Sequence, residues 1–273
     1  MIKELVFCDI DGTLRNSENS VSEKNIDTIK KLKDINVGFV ITTGRSRQFV
    51  VKLAKEVGAS NYVIATNGAD VYDYENNVEI YKSCISLEAI KLIYGIASKL
   101  NCKLLFKCGD TNFINFLYKT EIPAEVFSES ELEKIYNMGV AQINVMTLNL
   151  KDMLAAINQI ETIKDITIAS KSNALIDETF THPKGKDYSI DINNSDCEKG
   201  LGILKLSNYL SIPQTKTVAI GDGMNDLSMF KYSQIKVAME NSVSQLKQQA
   251  TDITASNNND GVATFLEKHY KLK

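Results

Sequence analysis

No apolar run in this 273-residue chain reaches the roughly 18 residues that a membrane-spanning helix needs, so no spanning helix and no membrane partner are expected. Cysteine is scarce and poorly placed for crosslinking. The five thiols, Cys8, Cys84, Cys102, Cys108 and Cys197, are odd in number, widely scattered and without a Cys-x-x-Cys pair. Neither disulfides nor a structural zinc is expected, and the thiols read as small apolar side chains of a reduced interior. Charge of one sign is also lacking: 31 basic and 34 acidic residues are mixed along the chain, for a formal net charge of −3. That leaves no electrostatic footprint for nucleic acid. The opening MIKELVFCDIDG lacks the basic region, apolar stretch and small-residue cleavage site of a signal peptide, so a cytoplasmic protein is expected. The two histidines, His182 and His269, stand outside every motif described below, and no histidine base is needed.

What is present is ordinary globular content, 44% hydrophobic and 24% charged, in a chain longer than the ~100–200 residues of one domain. Apolar runs at 5–8, 37–42 and 62–65 alternate with helical spacing over 22–35 and 47–57. Short buried strands alternating with helices predict a doubly wound α/β fold, a Rossmann-like parallel sheet covered on both faces. Between Ser83 and Asp187 the pattern changes to a mixed α+β unit: helices near 87–100, 129–137 and 151–160, and strand-like KLLFK, NFINFLY, VAQINVM, DITIA and NALID. The βα alternation then resumes, with a helix at 199–210, the strand TVAIGD, a helix at 225–232, QIKVAM, a short helix, the edge strand TDIT and a terminal helix. The reading is one core split by an insertion, with the core at 1–82 and 188–273 and the insertion at 83–187.

In such sheets ligands bind beyond the carboxyl ends of the strands, so polar residues directly after apolar runs are the candidates. Four places qualify. Asp9-Ile10-Asp11-Gly12-Thr13 puts two acids at i and i+2 ahead of a glycine; turn chemistry or helix capping would also explain them. Thr42-Thr43-Gly44-Arg45 offers a hydroxyl and backbone N–H groups suited to a phosphate oxygen, or simply a Thr N-cap. Lys199-Gly200 sets a cation at a helix start, which the macrodipole disfavours unless an anion is near; a solvated lysine is the alternative. Gly221-Asp222-Gly223-Met224-Asn225-Asp226 crowds acids and an amide into one turn, which is hard-cation chemistry.

The four motifs, DIDGT, TTGR, EKG and GDGMND, occur in the order found in the haloacid dehalogenase superfamily, which the chain resembles. The Asp pair of DIDGT resembles its phosphatase branch. The insertion, Asn67-Gly68-Ala69 and NNNDGVATFL resemble the Cof-like phosphatases. This resemblance implies a Mg²⁺-dependent phosphatase acting on a small phosphorylated metabolite, such as a sugar phosphate or a phosphorylated cofactor. It implies Asp9 as nucleophile and Asp11 as general acid and base, passing through an aspartyl phosphate. Metal ligands would be Asp9, the Asp11 carbonyl and Asp222, with Thr43, Gly44, Lys199 and Asn225 on the phosphate and Asp226 in support. Arg45 and Asn67 match positions beside the substrate, though a solvated side chain and an Asn-Gly turn would also account for them. The insertion would be a cap that selects substrate, with Lys184 and Lys186 near its returning linker. Two rivals use the same residue types: a phosphomutase or phosphotransferase passing the phosphoryl group to a sugar hydroxyl, and a phospho-acceptor signalling domain. The second acid of DIDGT and the long insertion speak against a signalling domain. Nothing in the sequence sets an oligomeric state.

Overall fold

The computed structural model describes residues 2–116, 123–172, 175 and 185–272. The expected strand at 173–177, apart from Leu175, and also His182 and Lys184, lie outside the described residues. The chain divides into two compact units, one of residues 1–45, 49–81 and 198–273, the other of residues 46–48 and 82–197.

The first unit is built on an eight-stranded sheet, in spatial order β14-β13-β12-β1-β2-β3-β4-β5. Its strands are β1 (Glu4–Cys8), β2 (Val37–Thr42), β3 (Tyr62–Ala65), β4 (Asp70–Asp73), β5 (Val78–Lys82), β12 (Thr217–Gly221), β13 (Ile235–Met239) and β14 (Asp252–Thr254). β1 pairs in parallel with both β2 and β12, which places it where the winding reverses. The run from β14 to β3 is parallel, whereas β4 returns antiparallel on β3. Alternate residues feed two separate cores, because both faces of a parallel sheet must be covered. Val6, Cys8, Phe39, Ile41, Val218 and Ile220 pack with α1 (Glu23–Leu32), α2 (Arg47–Val57) and α9 (Gly261–Tyr270). Leu5, Phe7, Val40 and Ala219 pack with α6 (Lys199–Tyr209), α7 (Leu227–Lys231) and α8 (Ser244–Gln249). Ser22 caps α1 by accepting from the Asn25 N–H, which ends the preceding loop.

The second unit has a six-stranded sheet, in order β10-β11-β9-β6-β7-β8. These strands are β6 (Lys103–Cys108), β7 (Thr111–Ile114), β8 (Glu125–Val126), β9 (Gln142–Thr147), β10 (Ile166–Lys171) and β11 (Tyr188–Asn194). All neighbours are antiparallel except β7 and β8. Leu104, Phe106, Ile143, Val145, Ile190 and Ile192 form its core with α3 (Leu87–Lys99), α4 (Leu132–Asn137) and α5 (Leu150–Ile160). The alternate positions are polar and hydrogen-bonded: Gln142 donates to Asn193 at 3.0 Å and Asn144 to Asp191 at 2.9 Å.

Two sequence expectations need correction. The return to the first unit does not begin at residue 188, because Tyr188–Asn194 is a strand of the second sheet paired with β9 and β10. YSIDINN alternates apolar and polar residues, as a strand covered on one face must. The strand expected over NFINFLY is described only as Thr111–Ile114. No helix among the described residues is long and apolar enough to cross a membrane. All five cysteines are free thiols, four of them buried.

Candidate active site

Every residue singled out at a strand end falls in the first unit. The ladder of β1 ends with the Asp9 N–H donating to the Ile220 carbonyl at 3.0 Å, which delivers the Asp9 side chain beside the turn after β12. Asp9 is 7% exposed. Its Oδ1 lies 2.5 Å from Lys199 Nζ, and the same ammonium lies 2.6 Å from Asp226 Oδ1. Lys199 opens α6, where the helix dipole disfavours a cation, and these two carboxylates are what offset it. The other oxygen of Asp226 accepts from the Asp222 and Gly223 N–H groups, both at 2.9 Å, so both of its oxygens accept, one from the lysine and one from the turn. Asp222 in turn accepts from the Thr13 hydroxyl at 2.6 Å.

Gly12 sits between these loops at φ +84°, and a Cβ there would overlap Asp222 Oδ2. The open space beside that oxygen is therefore a property of glycine. Asn241, in the turn after β13, donates to the Gly12 carbonyl at 2.7 Å and holds the turn from outside. Asp11 points elsewhere: Arg45 Nε and Nη2 meet its two oxygens at 2.7 and 2.8 Å, a bidentate pair. The Arg45 guanidinium lies 4.4 Å from the Phe49 ring centroid, a cation–π contact that fixes its plane. The Thr43 hydroxyl accepts from the Arg45 N–H at 3.1 Å, which leaves its own proton to donate. Asn67 Oδ1 is 3.5 Å from Asn225 Nδ2.

The electrostatics describe a cluster short of positive charge. Burial pushes the Asp9 carboxyl well above its ordinary range; Lys199 pulls it back, but Asp226 and Asp222 add to the rise. Asp222 is pushed up to about 6 by burial, then by Asp226, against the Thr13 hydrogen bond. Burial alone would lower the Lys199 ammonium, yet Asp226 and Asp9 outweigh it and hold the group charged. One oxygen from each of Asp9, Asp222 and Asp226 lies within 4.8 Å of the others. An all-oxygen donor set with unbalanced negative charge, beside space that only glycine leaves open, fits a hard divalent cation.

The structure thus brings Asp9, Lys199, Asp222 and Asp226 into direct contact, with Thr43, Gly44, Asn67 and Asn225 joined beside them. Asp11 and Arg45 form a pair of their own. Thr13 and Asn241 were missed, although Asn241 follows an apolar run as the others do. His269 stacks on Phe265, with centroids 5.3 Å apart, and takes no part in the cluster.

Known proteins resemble this chain over nearly its whole length. The 5-amino-6-(5-phospho-D-ribitylamino)uracil phosphatase YitU of Bacillus subtilis is 26% identical over 275 residues, 98% of each chain. A second B. subtilis phosphatase of the same name, YcsE, is 25% identical over 273 residues, covering 98% of this chain and 96% of its own. A crystal structure from Thermotoga maritima superposes with a TM-score of 0.80 at 23% identity, covering 98% of this chain and 97% of that one, which shows the shared fold. The model of the haloacid dehalogenase-like hydrolases matches residues 6–266, nearly the whole chain, and the protein belongs to that family as a Cof-like hydrolase.

Proposed function

We propose that this hydrolase is a phosphatase that cleaves small phosphomonoesters through an aspartyl phosphate on Asp9, with Mg²⁺ as cofactor. The observation that carries the reading is the set of buried Asp9 and Asp226 and half-buried Asp222 around Lys199. Asp9, Asp222 and the Asp11 backbone carbonyl would hold the cation. When bound, it supplies the charge neutralisation that lets a carboxylate approach a phosphate.

Asp9 is the nucleophile: its free oxygen bonds to phosphorus as the ester P–O bond breaks, and Asp11 gives the departing alkoxide a proton. Asp11, now ionised, takes a proton from the water that attacks phosphorus. The acyl P–O bond then breaks, which restores Asp9 and releases inorganic phosphate. Lys199 neutralises Asp9 and the phosphoryl oxygens, while Asp226 fixes the lysine. Thr43, the Gly44 N–H and Asn225 bind the remaining oxygens. Arg45 occupies both Asp11 oxygens, so proton donation requires that pair to open; Arg45 is a positioning residue for Asp11. The second unit serves to select substrate. Relatives named for a ribityl phosphate support a polyol or sugar phosphate as the first choice.

Phosphate release from a panel of polyol, sugar and cofactor phosphates, with and without Mg²⁺, tests this. Asp9→Asn should lower kcat roughly a thousandfold or more while keeping the fold, since the amide is near-isosteric but cannot form the acyl phosphate. Near-wild-type turnover by that variant would overturn the covalent route.

A further inference from the structure

Beyond Thr13 the turn that carries Asp11 runs on into a stretch that the phosphoryl chemistry does not use. Arg15 lies beside Asp11 in an isolated parallel bridge, and its N–H donates to the Ile10 carbonyl at 2.9 Å. Its own carbonyl accepts from Asn257 Nδ2 at 2.8 Å. The Asn257 N–H in turn donates to Asn241 Oδ1 at 3.0 Å, and Asn241 is the residue that holds the Gly12 carbonyl. Two residues on, the Ser17 N–H donates to Asn258 Oδ1 at 2.9 Å. The Asn257-Asn258 loop, which has no part in the reaction, thus fixes the course of the chain from Gly12 to Ser17, with Arg15 pinned in its middle.

What is pinned there is a guanidinium with nothing to neutralise it. Arg15 is half-buried, and its Nε is sealed from solvent without a hydrogen-bond partner among the described residues. No carboxylate of those residues pairs with it, since both oxygens of the neighbouring Asp11 are taken by Arg45. The Arg15 guanidinium lies 4.8 Å from the Phe49 ring centroid, and the Arg45 guanidinium lies 4.4 Å from the same centroid. One cation on an aromatic ring is stabilised by the ring quadrupole, but a second brings like-charge repulsion with it. A buried donor without an acceptor adds to the cost, and buried polar groups are almost always satisfied. Leucine at position 15 would pack on Phe49 with neither penalty. Surplus positive charge on a fixed backbone, beside the residue that protonates the leaving group, fits an anion that arrives with the substrate on its leaving-group side.

We propose that Arg15 is a specificity-determining residue whose guanidinium binds a second anionic group of the substrate, a carboxylate or a further phosphate carried by the alcohol that departs when Asp9 attacks phosphorus. Arginine suits either group, because its planar fork can meet two oxygens at once. The inference rests on the phosphatase reading and narrows its substrate to a phosphomonoester that bears a second acid, such as a phosphorylated sugar acid or a sugar bisphosphate.

The test uses the whole protein with Mg²⁺ and two matched pairs of substrates. 3-Phosphoglycerate and glycerol 3-phosphate differ by a carboxylate; fructose 1,6-bisphosphate and fructose 6-phosphate differ by a phosphate. The wild type should favour the more anionic member of at least one pair by roughly tenfold or more in kcat/KM, the scale of a hydrogen bond to a charged group, and the pair that shows it tells carboxylate from phosphate. Arg15→Leu should bring that ratio to within about threefold of unity, chiefly by raising KM for the anionic member. Arg15→Lys, which keeps the charge and loses the fork, should fall between the two. Each ratio is internal to one protein, so a general loss of activity cancels, and Arg15→Gln gives the same comparison if the leucine variant does not fold. A wild type with no preference for either anionic member, or a preference that Arg15→Leu and Arg15→Gln retain, would overturn the assignment and leave the phosphatase reading standing. A wild type that hydrolyses neither these four compounds nor any other phosphomonoester would overturn both.

Discussion

At the residue scale the site is a problem of charge balance. Asp222 carries a carboxyl pushed up to about 6 from an ordinary 3.8, chiefly by burial. Because its folded value is raised, the folded state binds a proton more tightly than the unfolded one. Stability from this group is present in acid and is lost as pH rises from about 4 to about 6. A cation that binds the ionised form relieves the penalty, so metal and protons compete. Mg²⁺ should therefore raise Tm by several degrees at pH 7.5, as expected for a ligand near 100 times its Kd, and by almost nothing at pH 4.5. Scanning calorimetry at both values decides it: an equal shift at the two, or none at pH 7.5, would remove Asp222 from the metal set. Most of the individual residues were legible because they follow apolar runs, and Lys199 because it opens a helix. Their pairing was not, since nothing in the spacing of Asp11 and Arg45 announces a bidentate contact between loops 34 positions apart.

Elements set what those residues can do. The turn after β1 is pinned on one side by Thr13 to Asp222 and on the other by Asn241 to Gly12. It passes close to Asp222 only because Gly12 has no Cβ and accepts φ +84°. Gly12→Ala is expected to destabilise by more than about 1 kcal/mol, since its backbone conformation is incompatible with alanine. It should also raise the Mg²⁺ concentration for half-maximal activity, because Asp222 must move. Thermal melts and metal titrations check it, and an unchanged metal requirement would mean that Gly12 is only a turn residue. The strands that carry the site were readable as short apolar runs. The β4–β5 hairpin was not, because Asp70 and Asp73 are buried acids in β4. Asp73 is made tolerable by hydrogen bonds from Asn61 and Asn76, a tertiary arrangement that local propensity does not encode. For β11 the obstacle was its polar alternate face, which resembles a loop until its partner β9 is known.

For the whole molecule, the proposed reading gives the two units separate tasks. Each unit has its own core: Phe7 and Phe39 lie in the first, Phe106 and Phe127 in the second, and no cluster among the described residues mixes them. All residues assigned to phosphoryl chemistry lie in the first unit, so chemistry and selection should be separable by deletion. Replacing residues 83–196 with a short Gly/Ser linker is expected to leave a cooperatively folding protein that retains the metal cluster, because the strands and helices around it keep their own core. Hydrolysis of a simple aryl phosphate, which draws little on specific contacts, should survive within about tenfold, whereas kcat/KM for the best polyol or sugar phosphate should fall much further. Remote contacts contribute binding energy to the transition state, and truncating them costs more than affinity alone. The decisive quantity is the ratio of the two kcat/KM values before and after deletion, in protein shown to melt cooperatively. An unchanged ratio would place selection in the first unit, within reach of Arg45 and Asn67, and leave the insertion without a role in specificity.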